Sequence, residues 1–213
     1  MRYPASHKTT TRERILDEAG QLAKERGFAT TGVDALMAAA GLTAGAFYAH
    51  FASKSELLSA LVERELKRSQ RMFAVDSDAA LEAAIGAYLS PQHVERPRKG
   101  CPLPTLSSEV ARADDTVRST YARGLAEVVQ QLAQRAGSEE KAWPMVAQAV
   151  GAVTLARALP AGRARKTLLD SVRDQVIAAL RQPEGETAPP TSPSRPGRAS
   201  PRKPSRLRSH PNS

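Results

Sequence analysis

Thr31–Lys54, TGVDALMAAAGLTAGAFYAHFASK, is the stretch whose reading decides the fold. Thr31 followed by Asp34 three residues on marks a helix start, because a hydroxyl at that place can cap the free amides of the first turn. Val33, Leu36, Met37 and Ala40 then form an apolar stripe at helical spacing. Gly41 ends this helix where the backbone turns left-handed, Leu42 plugs the corner, and Thr43 caps a second short helix whose inward residues are Phe47 and Phe51. Thr43, Ala44, Gly45, Ala46, Tyr48 and His50 are left facing outward. Two short helices on a tight turn, the second beginning with small residues, suit an element that lies in a DNA major groove.

The run T-x-V-x-x-L-x-x-x-A-G-L-T-x-G-x-F-Y-x-H-F-x-S-K-x-x-L-L resembles the DNA-binding domain of TetR-family transcriptional regulators, and the likeness extends from about Arg12 to Leu66. Beyond that point it is architectural and implies an all-helical dimer. The expectation is an all-α chain with a three-helix, helix-turn-helix DNA-binding domain over residues 1–53 and a helical effector-binding and dimerisation domain over 54–182. The resemblance also implies that Thr43, Ala44, Gly45, Tyr48, His50 and Lys54 occupy DNA-contacting positions. Repression is the commoner outcome in such a family, although the residues themselves leave repressor and activator equally open.

The residue chemistry of this head is mild. Ala44, Gly45 and Ala46 let the backbone approach the groove floor, and Thr43 reaches a phosphate or a thymine methyl. Tyr48 and His50 are long enough to hydrogen-bond phosphates, and Tyr48 a base edge. Lys54 adds a cation beside the amide dipoles of the next helix start, and Thr31 offers a neutral contact from the other helix start. Arg and Gln, which read guanine and adenine by paired bonds, are absent from the outward face. Direct readout is therefore expected to be modest, with operator shape and symmetry supplying the rest.

Around this head lies a chain of 213 residues, 41% of them apolar and only 4% aromatic, enough for a helix-packed core and poor in strand formers. The formal net charge of +9 suits a polyanionic partner. The excess is not in the head: residues 1–60 carry seven basic residues against six acidic ones, whereas 182–213 carry six (Arg195, Arg198, Arg202, Lys203, Arg206, Arg208) against two. Specific DNA binding must therefore be argued from geometry as well as charge. No apolar run approaches the roughly 18 residues that span a bilayer, and MRYPASHKTTTRER lacks the apolar centre of a secretion signal, so a cytoplasmic location with no membrane partner is expected. A single cysteine, Cys101, excludes an internal disulfide framework and argues against a four-ligand zinc site; no metal and no cofactor is expected.

Spacing predicts a first helix over Thr11–Arg26 with Ile15, Ala19 and Leu22 on one face, stopped by Gly27. Ser53 with Glu56 forms a capping box that opens a longer helix, to about Met72, bearing Leu57, Leu58, Leu61, Val62 and Leu66. Further helices are expected over Asp78–Leu89, from near Thr105, from Asp114 or Asp115 to Gly137, over about Lys141–Ala158, and over about Arg163–Arg181. Ser90–Pro104, rich in Pro and basic residues, reads as a loop. Residues 183–213, all but devoid of apolar residues, read as a disordered basic tail that either wraps DNA without sequence preference or merely solubilises the chain.

Cys101 has two readings. Beside Lys99 and just before a helix, a thiol loses its proton more readily, which suits a redox or electrophile sensor. TetR-family repressors that sense reactive aldehydes and oxidants are similar here, with a Gly-Cys step followed by a helix like Leu106–Ala111. A small buried hydrophobe is the plainer alternative. Tyr88, Cys101, Tyr121, Trp143 and Met145 are candidates to line an effector cavity, against the alternative that they are simple core. Two other function classes compete: a nucleoid-type architectural DNA-binding protein, and a thiol-dependent enzyme using Cys101. The second is disfavoured, because His7, His50, His93 and His210 offer it no obvious base.

Overall fold

A computed structural model describes residues 5–181, and the expected basic tail over 183–213 lies outside the described residues. Nine α-helices and two 3-10 segments fill the described chain, with no strand among those residues. They are α1 (Ala5–Arg26), α2 (Val33–Ala39), a 3-10 segment (Ala44–Ala49), α3 (Lys54–Phe73), α4 (Asp78–Tyr88), α5 (Pro91–Glu95), a second 3-10 segment (Pro97–Lys99), α6 (Leu103–Val110), α7 (Asp115–Ala136), α8 (Glu139–Ala158) and α9 (Arg163–Arg181).

Five helices begin with the same device, an oxygen-bearing side chain that accepts the amide three residues on. Ser53 accepts from Glu56 at 3.0 Å, Ser77 from Ala80 at 3.2 Å, Ser90 from His93 at 3.2 Å, Asp114 from Val117 at 3.0 Å and Ser138 from Lys141 at 3.4 Å. Glu56 completes the expected box at α3, although its carboxylate takes the amide of Ala52, at 2.7 Å, rather than that of Ser53. Ser90–Pro104 is not the plain loop expected from its prolines. Pro91 sits at the start of α5, where a missing N–H costs nothing.

α1 rests on α2 and α3, α3 runs along α7, α7 and α9 pack with α8, and α6 wedges between α1, α7 and α8. The α3 seam of Leu57, Leu58, Leu61, Val62 and Leu66 is buried, each side chain contributing about 1.5–3 kcal/mol. Gly124 makes the α3–α7 approach possible, since a Cβ there would stand 2.7 Å from Leu66 Cδ1.

The core also holds an ion pair. Lys24 Nζ lies 2.5 Å from Glu65 Oε2 with both side chains essentially without solvent, and it donates a second bond to the Gly100 carbonyl at 3.1 Å. Lys24 thus ties α1, α3 and the segment before Cys101 together. It adds nothing to the exposed charge of the head.

Candidate nucleic-acid interface

The turn between α2 and Thr43 follows from one glycine. Gly41 has φ of +66°, and a Cβ at this position would have nothing within 4 Å, so the backbone conformation alone demands glycine. The Leu42 amide returns to the Met37 carbonyl at 3.0 Å, which fixes the corner. Phe47 and Phe51 are each 1% exposed with ring centroids 5.8 Å apart, and they anchor the 3-10 segment in the core as expected. Anchoring two aromatic rings through so short a segment holds it in place from beneath. The segment is a 3-10 helix rather than the α-helix that the spacing suggested.

Most of the outward set is where the sequence put it. Tyr48 is 77% exposed, its ring edge-on to Phe47 at 5.2 Å. Thr43 and Gly45 are exposed, and Ala44, Ala46 and His50 are partly so. Thr43 has the extended backbone of a cap (φ −84°, ψ 154°) but makes no side-chain cap bond, which leaves its hydroxyl on the surface. Gly45 has no positive φ, and a Cβ there would meet only Thr43 Oγ1 at 3.9 Å. The fold itself gives no reason for glycine at this position.

Thr31 departs from expectation. It is 6% exposed and its hydroxyl donates to the Gly27 carbonyl at 2.6 Å, so it closes the end of α1, while Gly32 holds the cap position of α2 without a side-chain bond. A buried hydroxyl already committed to a carbonyl is not a phosphate ligand. Lys54 is half-buried, with Nζ 5.0 Å from the centroid of the Phe28 ring and donating to the Ala29 carbonyl at 3.1 Å. Arg12 covers Phe51 at 4.8 Å in the same manner, a cation that sequence reasoning did not single out.

Glu109 of α6 was also missed. Its Oε1 accepts the Phe28 amide at 2.8 Å and its Oε2 the Ala29 amide at 2.9 Å, so one carboxylate from the body holds the backbone between α1 and α2. Gly27, at φ +84°, is required twice over, because a Cβ there would stand 2.9 Å from Glu109 Oε1. Thr105, on the same helix, donates to the Lys24 carbonyl at 3.1 Å and accepts from Arg157 at 3.0 Å. No spacing rule marks the contacts of α6 with α1 and the turn after it, since they join residues some 80 positions apart.

Behind α6 the body contains an apolar cavity with ≈ 40 Å³ open to the centres of water-sized molecules; Ser69, Tyr88, Cys101, Met145, Val150 and Val176 are among its walls. Of the five expected lining residues it gathers Tyr88, Cys101 and Met145. Tyr121 stands apart, half-buried, its hydroxyl 2.7 Å from that of Ser107. Trp143 is 43% exposed on the outer face of α8 and does not line the cavity. Cys101 is buried, and burial pushes its thiol up from the ordinary value despite Lys24 and the helix start nearby. Desolvation outweighs the local positive charge, contrary to the thiolate expected of a sensor.

His93 joins the two ends of this region. Its Nε2 accepts the Cys101 amide at 3.1 Å, which puts the proton on Nδ1 facing the Tyr88 carbonyl at 2.6 Å. Burial, the larger effect, pulls its pKa below the ordinary histidine value.

Residues 15–61 match the family profile of bacterial regulatory proteins, tetR family. No curated protein matches the chain. Among solved structures, the reduced form of NemR from E. coli is 25% identical with a TM-score of 0.62, over 78% of this chain and 95% of that one. A TetR transcriptional regulator from Chloroflexus aurantiacus is 23% identical with a TM-score of 0.64, over 83% and 97% of the two chains. A tetR-family transcriptional regulator from Streptomyces coelicolor is 18% identical with a TM-score of 0.63, over 81% and 80%; these last two similarities show the fold alone.

Proposed function

We propose, from the chain's membership of the TetR family of bacterial regulatory proteins through its amino-terminal domain, that it is a cytoplasmic repressor. It binds a palindromic operator as a homodimer and leaves it when a small molecule enters the body cavity. The observation that carries this reading is Gly45. The chain needs neither its backbone freedom nor its lack of a Cβ, and it lies exposed between Thr43 and Tyr48, where a groove floor would meet the backbone.

In this reading Ala44, Gly45 and Ala46 let the segment seat, Thr43 and Tyr48 contact phosphate or base edges, and His50 and Lys54 flank them. Lys54 and Arg12, each placed over an aromatic ring, hold positive charge beside the DNA without long searching side chains. Dimerisation is supported by α8, whose outer face exposes Trp143, Ala147, Leu155 and Ala158, an apolar strip suited to a second copy. Two heads lengthen the readout that one short segment cannot supply. Release follows if the effector prefers a body shape in which α6 moves, because Glu109 would carry that movement to residues 28 and 29.

The test is duplex binding by Gly45→Leu and Tyr48→Ala beside the wild type, on an operator taken from in-vitro selection and on random DNA. Gly45→Leu is expected to melt within a few degrees of wild type and to lose operator preference, and Tyr48→Ala to weaken operator binding about tenfold or more. Unchanged operator affinity in both variants would refute the assignment.

A further inference from the structure

We infer that the body cavity takes a small, uncharged, mainly apolar molecule carrying one hydrogen-bond-accepting oxygen, and that the Tyr88 hydroxyl is the group that recognises that oxygen. The inference rests on the regulator reading for its biological use, but it concerns binding alone.

The donor inventory of the cavity is short. Ser69 is committed, its hydroxyl donating to the Glu65 carbonyl at 3.2 Å and lying 3.5 Å from Cys101 Sγ. Tyr88 is 97% buried, lines the cavity, and its hydroxyl lies near the Cys101 sulfur without a hydrogen bond of ordinary geometry. A phenol buried in apolar surroundings ordinarily finds a partner, and the penalty for leaving it without one disappears when a ligand supplies an acceptor.

The same walls exclude charge. No Asp, Glu, Lys, Arg or His lines the cavity, whose surface is otherwise aliphatic, aromatic or thioether, so an ionic ligand would lose its hydration without touching a counter-charge in the walls. Two cations stand behind the Tyr88 and Cys101 end without lining the cavity: Lys24, held by Glu65 and the Gly100 carbonyl, and Arg157, which donates to Thr105. Recognition is therefore by shape and one hydrogen bond. A ring-sized guest needs more room than ≈ 40 Å³, and the wall that yields is Met145, an unbranched thioether able to repack.

Three probes of similar outline separate these requirements: acetophenone carries the acceptor, cumene lacks it, and benzoate carries a charge. Calorimetric titration of the full chain without DNA is expected to rank acetophenone above both others. Tyr88→Phe, which keeps the ring, is expected to weaken acetophenone about three- to tenfold while leaving cumene unchanged. Val150→Phe, at a partly buried wall position, is expected to abolish binding of acetophenone and cumene by filling the space. The inference is overturned if benzoate binds best, if acetophenone keeps its preference in Tyr88→Phe, or if none of the three binds the wild type. Acetophenone binding with the expected ranking, but with no loss of operator DNA, upholds the cavity assignment and removes effector release instead.

Discussion

Lys24 and Glu65 place a full charge pair in the driest part of the molecule, where attraction must offset the loss of hydration. Lys24 answers this with two acceptors, the Glu65 carboxylate and the Gly100 carbonyl. Removing either partner strands the other and costs about 3–5 kcal/mol. His93 offers the clearer test at this scale. Its folded-state pKa lies below that of the unfolded chain, so the unfolded state binds the proton more readily as pH falls. The stability owed to neutral His93 is complete above the ordinary value near 6.5 and is lost as pH drops from there through the depressed pKa. Urea denaturation from pH 8 to pH 5 should show wild type losing more stability than His93→Gln, with the difference opening below about pH 6.5. Parallel curves would contradict the proposed role of the two backbone bonds to Cys101 and Tyr88.

Among the elements, α6 joins cavity and head, as α3 does through Ser69 and its packing on α1: Leu103 is a cavity wall, Thr105 holds the end of α1, and Glu109 holds the amides of Phe28 and Ala29. Glu109→Ala should lower stability by about 1–3 kcal/mol, by leaving two amides without their acceptor, and should weaken operator binding while the Tyr88 cavity keeps its ligand affinity. Equal stability and equal DNA affinity would remove α6 as the connection. Such long-range contacts were not legible in the sequence, because nothing local distinguishes Glu109 from any half-exposed acid. What was legible rests on local chemistry: the Ser53–Glu56 start of α3, the Asp114 start and Gly137 end of α7, and the paired Phe47 and Phe51 all depend on neighbours within a few residues. Thr31 misled for the same reason. Its hydroxyl does cap, but backwards onto the Gly27 carbonyl left over at the end of α1 rather than forwards into α2. α5 was hidden because Pro91 reads as a breaker, although proline is tolerated in the first turn. At Cys101 the plainer of the two readings, a small buried hydrophobe, describes where the side chain lies: burial, decided by tertiary packing, has the larger effect on the thiol although Lys99 is near in sequence.

For the whole molecule, a head with so few reading groups must gain specificity from repetition. Its described exposed face carries Thr43, Tyr48 and two ring-seated cations, Arg12 and Lys54, and its recognition segment has none of the arginine or glutamine side chains that pair with single bases. A second copy docked through the Trp143 and Leu155 face of α8 would double that readout and impose two-fold symmetry on the DNA. The net charge of +9 favours encounter with any duplex, so affinity alone does not distinguish this arrangement from nonspecific binding. Selection of duplexes from a random pool by the full chain, at near-physiological salt, is the most direct measurement. The enriched DNA is predicted to contain two inverted half-sites whose centres are separated by about one helical turn or a multiple of it, with two chains bound per pair. Enrichment of no sequence, or of a single unrepeated site bound by one chain, would contradict the account.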